Sequence, residues 1–287
     1  MTEQRDPPPN RGSLVDRIRN AAQEDARHGD PNVRNARLAL AVANIVVGRL
    51  LPSGVVKGGT SMQIRFGANA RFTRDLDAAR PAGTDVDEYI DALADNLEEG
   101  WAGFTGVVAE GKGHQPDGIP EAYVMRPFVI ELFYRGSSWI KVPLELGPDE
   151  LGSADAAEMI PPAQATGLFA ALGLPDPGPV PVLRAEYQVA QKLHACTTTL
   201  ANGKNDRARD LVDLQLLAVG ADLRETRSIA LRLFQYRRSG TWPPAVIERD
   251  GWVELYDEAA QGLAVLGSVS EAVKWANELV QRIDAAA

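Results

Sequence analysis

Cysteine is nearly missing from this chain: among 287 residues only Cys196 is one, so no internal disulfide can form and no cysteine-rich zinc site can be built. Histidine is almost as scarce, and His28, His114 and His194 do not fall at metal-ligand spacing. Gly-x-Gly-x-x-Gly, Walker-type and Gly-x-Ser-x-Gly signatures are all lacking, which removes dinucleotide-binding, P-loop and serine-hydrolase chemistry from consideration. Basic excess is lacking too. Lys and Arg number 30 against 39 Asp and Glu, a formal net charge of -9, so any nucleic acid must be held by a local patch rather than by the surface as a whole. Long apolar runs are missing as well: Leu38 to Val47 is interrupted by Asn44, and Met1 to Gly12 is polar and proline-rich, unlike a membrane span or a signal peptide. The expectation is a soluble cytoplasmic protein with no membrane partner.

What is present is ordinary globular material, 45% hydrophobic and 24% charged, enough for one large domain or two modest ones. Residues 1–13 read as a disordered start. Leu14, Val15, Ile18, Ala21 and Ala22 then recur at helical spacing, and Asp30-Pro31 reads as an N-cap followed by proline at the first helical position. Val55-Val56, the turn Lys57 to Thr60, a helical pattern through Ile64 and Phe66, and an extended segment from Arg71 to Ala79 follow as strand, turn, helix and strand. Tyr89 to Leu97 suits a helix, and Thr105 to Val108, Tyr123 to Leu132 and Trp139 to Leu146 suit strands. Leu174 to Val182 is so rich in proline that it reads as a boundary unable to sustain helix or central strand. Beyond it, Leu183 to Leu200, Asp206 to Val219, Arg224 to Ser239 and Ser268 to Ala286 carry helical periodicity. The predicted architecture is therefore α+β, with a mixed-sheet domain over 14–174 and a helical domain over 183–287.

The chemistry concentrates at Gly58, Gly59, Thr60 and Ser61, followed by Asp75-Leu76-Asp77. Two glycines between strand and helix let the backbone approach an anion, and the first free amides of the helix face it, an arrangement suited to a triphosphate. Alternation along the following strand places Arg71, Thr73, Asp75 and Asp77 on one face and Phe72, Leu76 and Ala78 on the other. Its two carboxylates would lie roughly 6–7 Å apart and suit a shared Mg²⁺, an ion that takes a few carboxylates and completes its shell with water and phosphate. Either motif alone is equally well read as a turn or a solvated strand end; it is their combination at this spacing that points to an NTP site.

Lys57-Gly-Gly-Thr-Ser, Arg65 and Arg71-Phe-Thr-Arg-Asp-Leu-Asp, together with Lys192-Leu-His-Ala and Arg207-Ala-Arg-Asp-Leu-Val-Asp-Leu, resemble the signature of the AbiEii/AbiGii-type toxins, which include the mycobacterial MenT-like toxins and form a branch of the polymerase-beta-like nucleotidyltransferases. Thr73 stands where that family commonly has serine, and the hydroxyl is preserved. The resemblance implies a polymerase-beta-like fold and a toxin that adds a nucleoside monophosphate from NTP to the 3′ end of tRNA, blocking translation, with a cognate antitoxin as partner. It also implies roles. Asp75, Asp77, Lys192 and Asp210 would be catalytic, with Lys192 neutralising the triphosphate and Asp210 holding that lysine. Gly58, Gly59, Thr60, Ser61, Arg65 and Thr73 would bind the nucleotide. A third metal-binding carboxylate joins Asp75 and Asp77 in this superfamily, and Glu145 is the candidate, with Glu131 its rival; Pro143 weighs against Glu145, because proline belongs on edge strands.

Read from residue type alone, Lys192 is a solvated helix lysine and Asp210 an acid in a first helical turn. Asp213, one turn on, ranks below it. Lys57 and Arg71 are further candidate phosphate ligands. Phosphorylation of Thr73 would place negative charge beside the metal site. Arg224, Arg227, Arg232, Arg237 and Arg238, interleaved with Phe234, Tyr236 and Trp242, are read either as a hold for an RNA stem or as a solvated helix face with aromatic anchors. Two rival functions share the motifs: a nucleotidyltransferase acting on a small acceptor, and a non-catalytic binding protein on the same fold.

Overall fold

A computed structural model describes residues 5–23, 30–112, 125–198, 205–238 and 240–286. The chain divides into a first unit of residues 1–68 and 72–182 and a second of 69–71 and 183–287.

The first unit begins with α1 (Arg11–Ala22) and α2 (Pro31–Leu50). As expected, Asp30 caps α2, its carboxylate accepting from the Asn32 amide at 2.8 Å, with Pro31 next. Then come β1 (Val55–Lys57), α3 (Gly58–Phe66), β2 (Leu76–Ala79), α4 (Val86–Glu99), β3 (Phe104–Glu110), β4 (Arg126–Tyr134), β5 (Ser137–Gly147), β6 (Glu158–Ile160), α5 (Ala165–Leu172) and β7 (Val180–Val182). The strands form one seven-stranded sheet in the order β3-β4-β5-β2-β1-β7-β6. It is mixed: β2 runs parallel to β5 and β1 parallel to β7, and the remaining pairs are antiparallel.

Helix α4 shows why these segments fold as they do. Asp85 caps it, Tyr89, Leu93 and Leu97 form a buried stripe one turn apart, and Gly100 ends it at φ 71°. Each such leucine contributes about 1.5–3 kcal/mol by leaving water. The stripe joins a core that includes Val56, Leu76, Ile130, Val142 and Leu144.

Three expectations are corrected. Residues within the start read as disordered are tied to the fold: the Tyr134 hydroxyl donates to the Pro8 carbonyl at 2.9 Å and Arg17 reaches the Asp6 carbonyl at 2.6 Å. These bonds supply partners that composition does not reveal. Secondly, the proline-rich boundary contains β7, an interior strand, with Pro181 opposite Met159 of β6 and Val182 opposite Val56 of β1. Proline lacks an amide but keeps its carbonyl, and three residues between short neighbours demand few donors. Thirdly, the acidic strand is shorter than read, because β2 begins only at Leu76 and Asp75 sits in the bend before it.

The second unit carries α6 (Ala185–Thr197), α7 (Ala208–Leu217), α8 (Leu223–Arg237), α9 (Trp252–Ala260) and α10 (Val269–Ala285), the helical half foreseen. Helices α5 and α9 and strands β6 and β7 were not foreseen. Residues 123–124, 199–200 and 239, at the ends of three expected elements, lie outside the described residues, as do His28 and His114. No helix among the described residues is long and apolar enough to cross a membrane.

Candidate active site

In the first unit the glycine bend and the acidic strand meet. Strand β1 runs antiparallel to β2 with Lys57 opposite Asp77, and β2 runs parallel to β5 with Asp77 opposite Glu145. Residues paired in register present their side chains to the same face, about 5 Å apart, so Lys57, Asp77 and Glu145 form one row across three strands. Glu145 alternates outward with Lys141 and Pro143, while Val142, Leu144 and Leu146 are buried. Strand β5 is interior, yet Pro143 does not interrupt it, since pairing with β2 starts one residue later at Leu144. The rival Glu131 lies opposite Lys141, accepts from Ser138 Oγ at 2.6 Å, and pairs with Lys141 at 3.5 Å. It is engaged within its own hairpin. The Ser138 hydroxyl in particular holds its carboxyl below the usual glutamate range.

The glycine pair admits side chains as well as backbone. Gly58 opens α3 at φ 60°, where L residues are strained, and a Cβ there would lie 2.6 Å from Asp77 Cγ. A Cβ on Gly59 would lie 2.7 Å from Thr73 Oγ1. Both residues are therefore glycine so that Asp77 and Thr73 can close over the bend. Thr60 and Ser61 are fully buried. Thr60 donates to the Asp75 carbonyl at 2.8 Å and Ser61 to the Gly58 carbonyl at 2.8 Å. Their hydroxyls fix the bend and fasten Asp75 to α3. The N-cap residue Lys57 makes no side-chain cap hydrogen bond to this helix, and the amides of a helix N-terminus are disposed toward an anion.

The carboxylates Asp75, Asp77 and Glu145 offer hard oxygen donors, but among the described residues no group of three or more His, Cys, Asp or Glu is gathered into a ready-made metal cage. That donor set fits Mg²⁺, which keeps waters and substrate phosphates as ligands, better than an ion demanding a complete protein shell. Arg65 is not brought to the bend. It lies seven residues along α3, a rise of roughly 10 Å, and its guanidinium is held by Glu158 at 2.6 Å.

In the second unit Lys192 is not the solvated lysine its residue type suggests: it is 7% exposed, and its Nζ donates to Asp210 Oδ1 and to Asp213 Oδ2, each at 2.7 Å. Asp213, 0% exposed, also takes Arg71, whose Nε lies 3.0 Å from Oδ1 and whose Nη2 lies 2.9 Å from Oδ2. Arg71 thus leaves the row of side chains expected with Thr73, Asp75 and Asp77, and belongs to the helical unit. Burial is the largest influence on Lys192 and disfavours its charge, but Asp210 and then Asp213 outweigh it and hold the ammonium above its ordinary pKa. For Asp210 burial again acts first, to raise the pKa, and Lys192 with Arg207 reverses it, leaving the carboxyl below the usual range. The sequence ranked Asp213 below Asp210; its helical position one turn on, facing the same lysine, was the signal.

Two neighbouring groups are structural. Cys196 is buried, its thiol pushed well above the ordinary range by desolvation. His194 lies edge-on to Phe234 at 4.8 Å, with Arg237 Nη1 3.2 Å from its Nδ1. Phe234 is buried and edge-on to Trp242, whose indole donates to Asp284 at 2.8 Å. Phe234 and Trp242 are thus anchors, and Arg224, Arg232 and Arg238 are the arginines left exposed on this stretch.

The family described as nucleotidyl transferase AbiEii toxin, type IV toxin-antitoxin system, matches residues 42–273. Among solved structures the chain is similar to MenT4, a nucleotidyltransferase toxin of Mycobacterium tuberculosis H37Rv, with 21% identity, 95% of this chain and 94% of that one covered, and a TM-score of 0.57. A putative nucleotidyltransferase from H. pylori aligns over 85% of this chain and 91% of its own at 17% identity and a TM-score of 0.44. A search of curated proteins finds no match. With the family match spanning most of the sequence, and both motif clusters inside it, the chain belongs to the AbiEii nucleotidyltransferase toxins of type IV toxin-antitoxin systems.

Proposed function

We propose that this toxin is a Mg²⁺-dependent enzyme that transfers a nucleoside monophosphate from NTP to the 3′ end of tRNA, blocking translation until its antitoxin partner counters it. The observation that carries the reading is the closure of Asp77 over Gly58 with Glu145 beside it in register: acidic oxygens and a helix N-terminus at one bend suit a metal-bound triphosphate. The acceptor 3′ hydroxyl gives its proton to solvent water and attacks the α-phosphorus as the bond to pyrophosphate breaks and pyrophosphate leaves. Asp75, Asp77 and Glu145 would hold the ion, which when bound supplies charge neutralisation at the phosphates. The amides at Gly58 and Gly59 orient the triphosphate, and Thr60 and Ser61 keep the bend in shape. Thr73 borders the nucleotide. Lys192 and Asp210, which the family signature singles out as catalytic, form with Asp213 an ionic cluster of the second unit.

The deciding experiment incubates the purified protein with each α-³²P-labelled NTP, Mg²⁺ and total RNA. Label in the tRNA band supports the reading and its nucleotide preference together. Label only on small molecules would transfer the chemistry to a small acceptor, and growth inhibition undiminished by Asp75→Asn with Asp77→Asn would replace catalysis by binding.

A further inference from the structure

The row Lys57–Asp77–Glu145 contains a cation as well as carboxylates, and the structure gives that cation a seat. A Cβ on Gly147 would lie 2.8 Å from Lys57 Nζ, 3.7 Å from Lys57 Cε and 3.7 Å from the Ala78 carbonyl oxygen. Gly147 is two residues beyond Glu145 on β5 and pairs with Ala79 of β2. The lysine on β1 therefore extends across β2, past Ala78, and rests its ammonium over β5 on the face that carries Glu145 and Asp77. Gly147 has no positive φ to account for a glycine; what a side chain there would displace is the ammonium.

Carboxylates side by side raise each other's energy when ionised, and an ammonium lodged among them lowers it. We propose that Lys57 is the resident counter-ion of the acidic row: seated over Gly147, it balances Asp77 and Glu145 while no metal is bound, and it opposes entry of a divalent cation until nucleotide arrives. This rests on the reading of that row as the metal site, and it makes Lys57 a positioning residue with an electrostatic duty distinct from phosphate binding. Tight binding of free metal would fill the site without substrate; a lysine in the row weakens it and leaves the phosphates of an NTP to complete both charge balance and coordination.

The test measures binding of Mn²⁺ alone, without nucleotide, by electron paramagnetic resonance on the full chain, and thermal melting in EDTA and in saturating Mg²⁺. Lys57→Met should bind Mn²⁺ roughly three- to tenfold more tightly than the wild type, the effect of removing one positive charge a few ångströms away in a partly wet site. Its melting temperature should fall below the wild type's in EDTA, and the gap should close in Mg²⁺. Gly147→Ala has only the far end of a flexible side chain to push aside, so it should fold normally and move Mn²⁺ affinity in the same direction by a smaller factor. Unchanged or weaker Mn²⁺ binding in Lys57→Met, or a melting deficit equal in EDTA and Mg²⁺, would overturn the proposal and reduce Lys57 to a packing residue. Failure of the functional reading is seen separately, as no labelled product from a wild type that binds Mn²⁺.

Discussion

The acidic row of the first unit and the ionic network of the second use the same residue types to opposite ends. In the helical unit Lys192 and Arg71 face Asp210 and Asp213, and both carboxylate oxygens of Asp213 accept from groups inside the protein. Two cations face two carboxylates, and burial is nearly complete. In the sheet unit Asp75 and Glu145 are exposed and Asp77 leans over the glycine bend that opens α3. One cluster is enclosed by the fold, whereas the other leaves two of its carboxylates open to solvent. The difference teaches which acidic residues the fold encloses and which it leaves within reach of a ligand: burial, rather than acidity or spacing, separates them.

The largest effect should come from breaking the balanced cluster. Asp213→Ala removes a fully buried carboxylate that serves both Arg71 and Lys192, leaving Asp210 alone to balance the two cations of the cluster, and should destabilise the protein by about 3–5 kcal/mol in denaturant melts. A loss below about 1 kcal/mol would mean that the network relaxes and is no more enclosed than the acidic row. The same cluster predicts a direction with pH. Because the Asp210 carboxyl is held below its ordinary value of 3.8, its contribution is complete above that value and is lost as pH falls through its folded-state pKa. Lys192, held above its ordinary 10.5, contributes fully below that value and loses its contribution only as pH rises through its folded-state pKa. Stability should therefore be level around neutrality. Comparing Asp210→Asn with the wild type below pH 5 checks the acid side, where the wild type should lose stability more steeply.

Next in size is the converse experiment on the open row. Asp77→Asn keeps the shape over Gly58 and removes one charge, so folding should change by less than about 1 kcal/mol while nucleotidyl transfer falls on the order of 10²- to 10³-fold. Equal losses of stability and activity would erase the contrast between the clusters.

Much of this contrast was legible from sequence. The β1, α3 and β2 order follows from Val55-Val56, the glycines and the apolar positions of α3, and the Glu145 side of β5 from strict alternation. The capping of α2 was plain in Asp30-Pro31. What stayed hidden depended on partners distant in the chain. Arg71 looked like a strand residue because nothing local reveals Asp213, which is 142 residues away. The reach of Asp75 was overdrawn for a similar reason: alternation predicts side-chain direction but not where pairing begins, which Leu144 decides. Lys192 is the clearest case, since its residue type argued for solvent and only the family signature singled it out.

The smallest predicted effect decides on which side of the contrast Arg65 falls. The family motif places it with the phosphate ligands, whereas the structure gives its guanidinium to Glu158 at 2.6 Å, with the arginine side chain 10% and the glutamate 43% exposed. A pair so open on the carboxylate side stabilises by roughly 0–1 kcal/mol. If Arg65 acts only as a tie between α3 and β6, then Arg65→Gln and Glu158→Gln should lower the melting temperature equally and slightly, and both should leave NTP affinity, measured by calorimetry with Mg²⁺, within about twofold of the wild type. A weaker NTP affinity in Arg65→Gln alone would show that the arginine exchanges Glu158 for phosphate, and would move it from the residues the fold encloses to those within reach of a ligand.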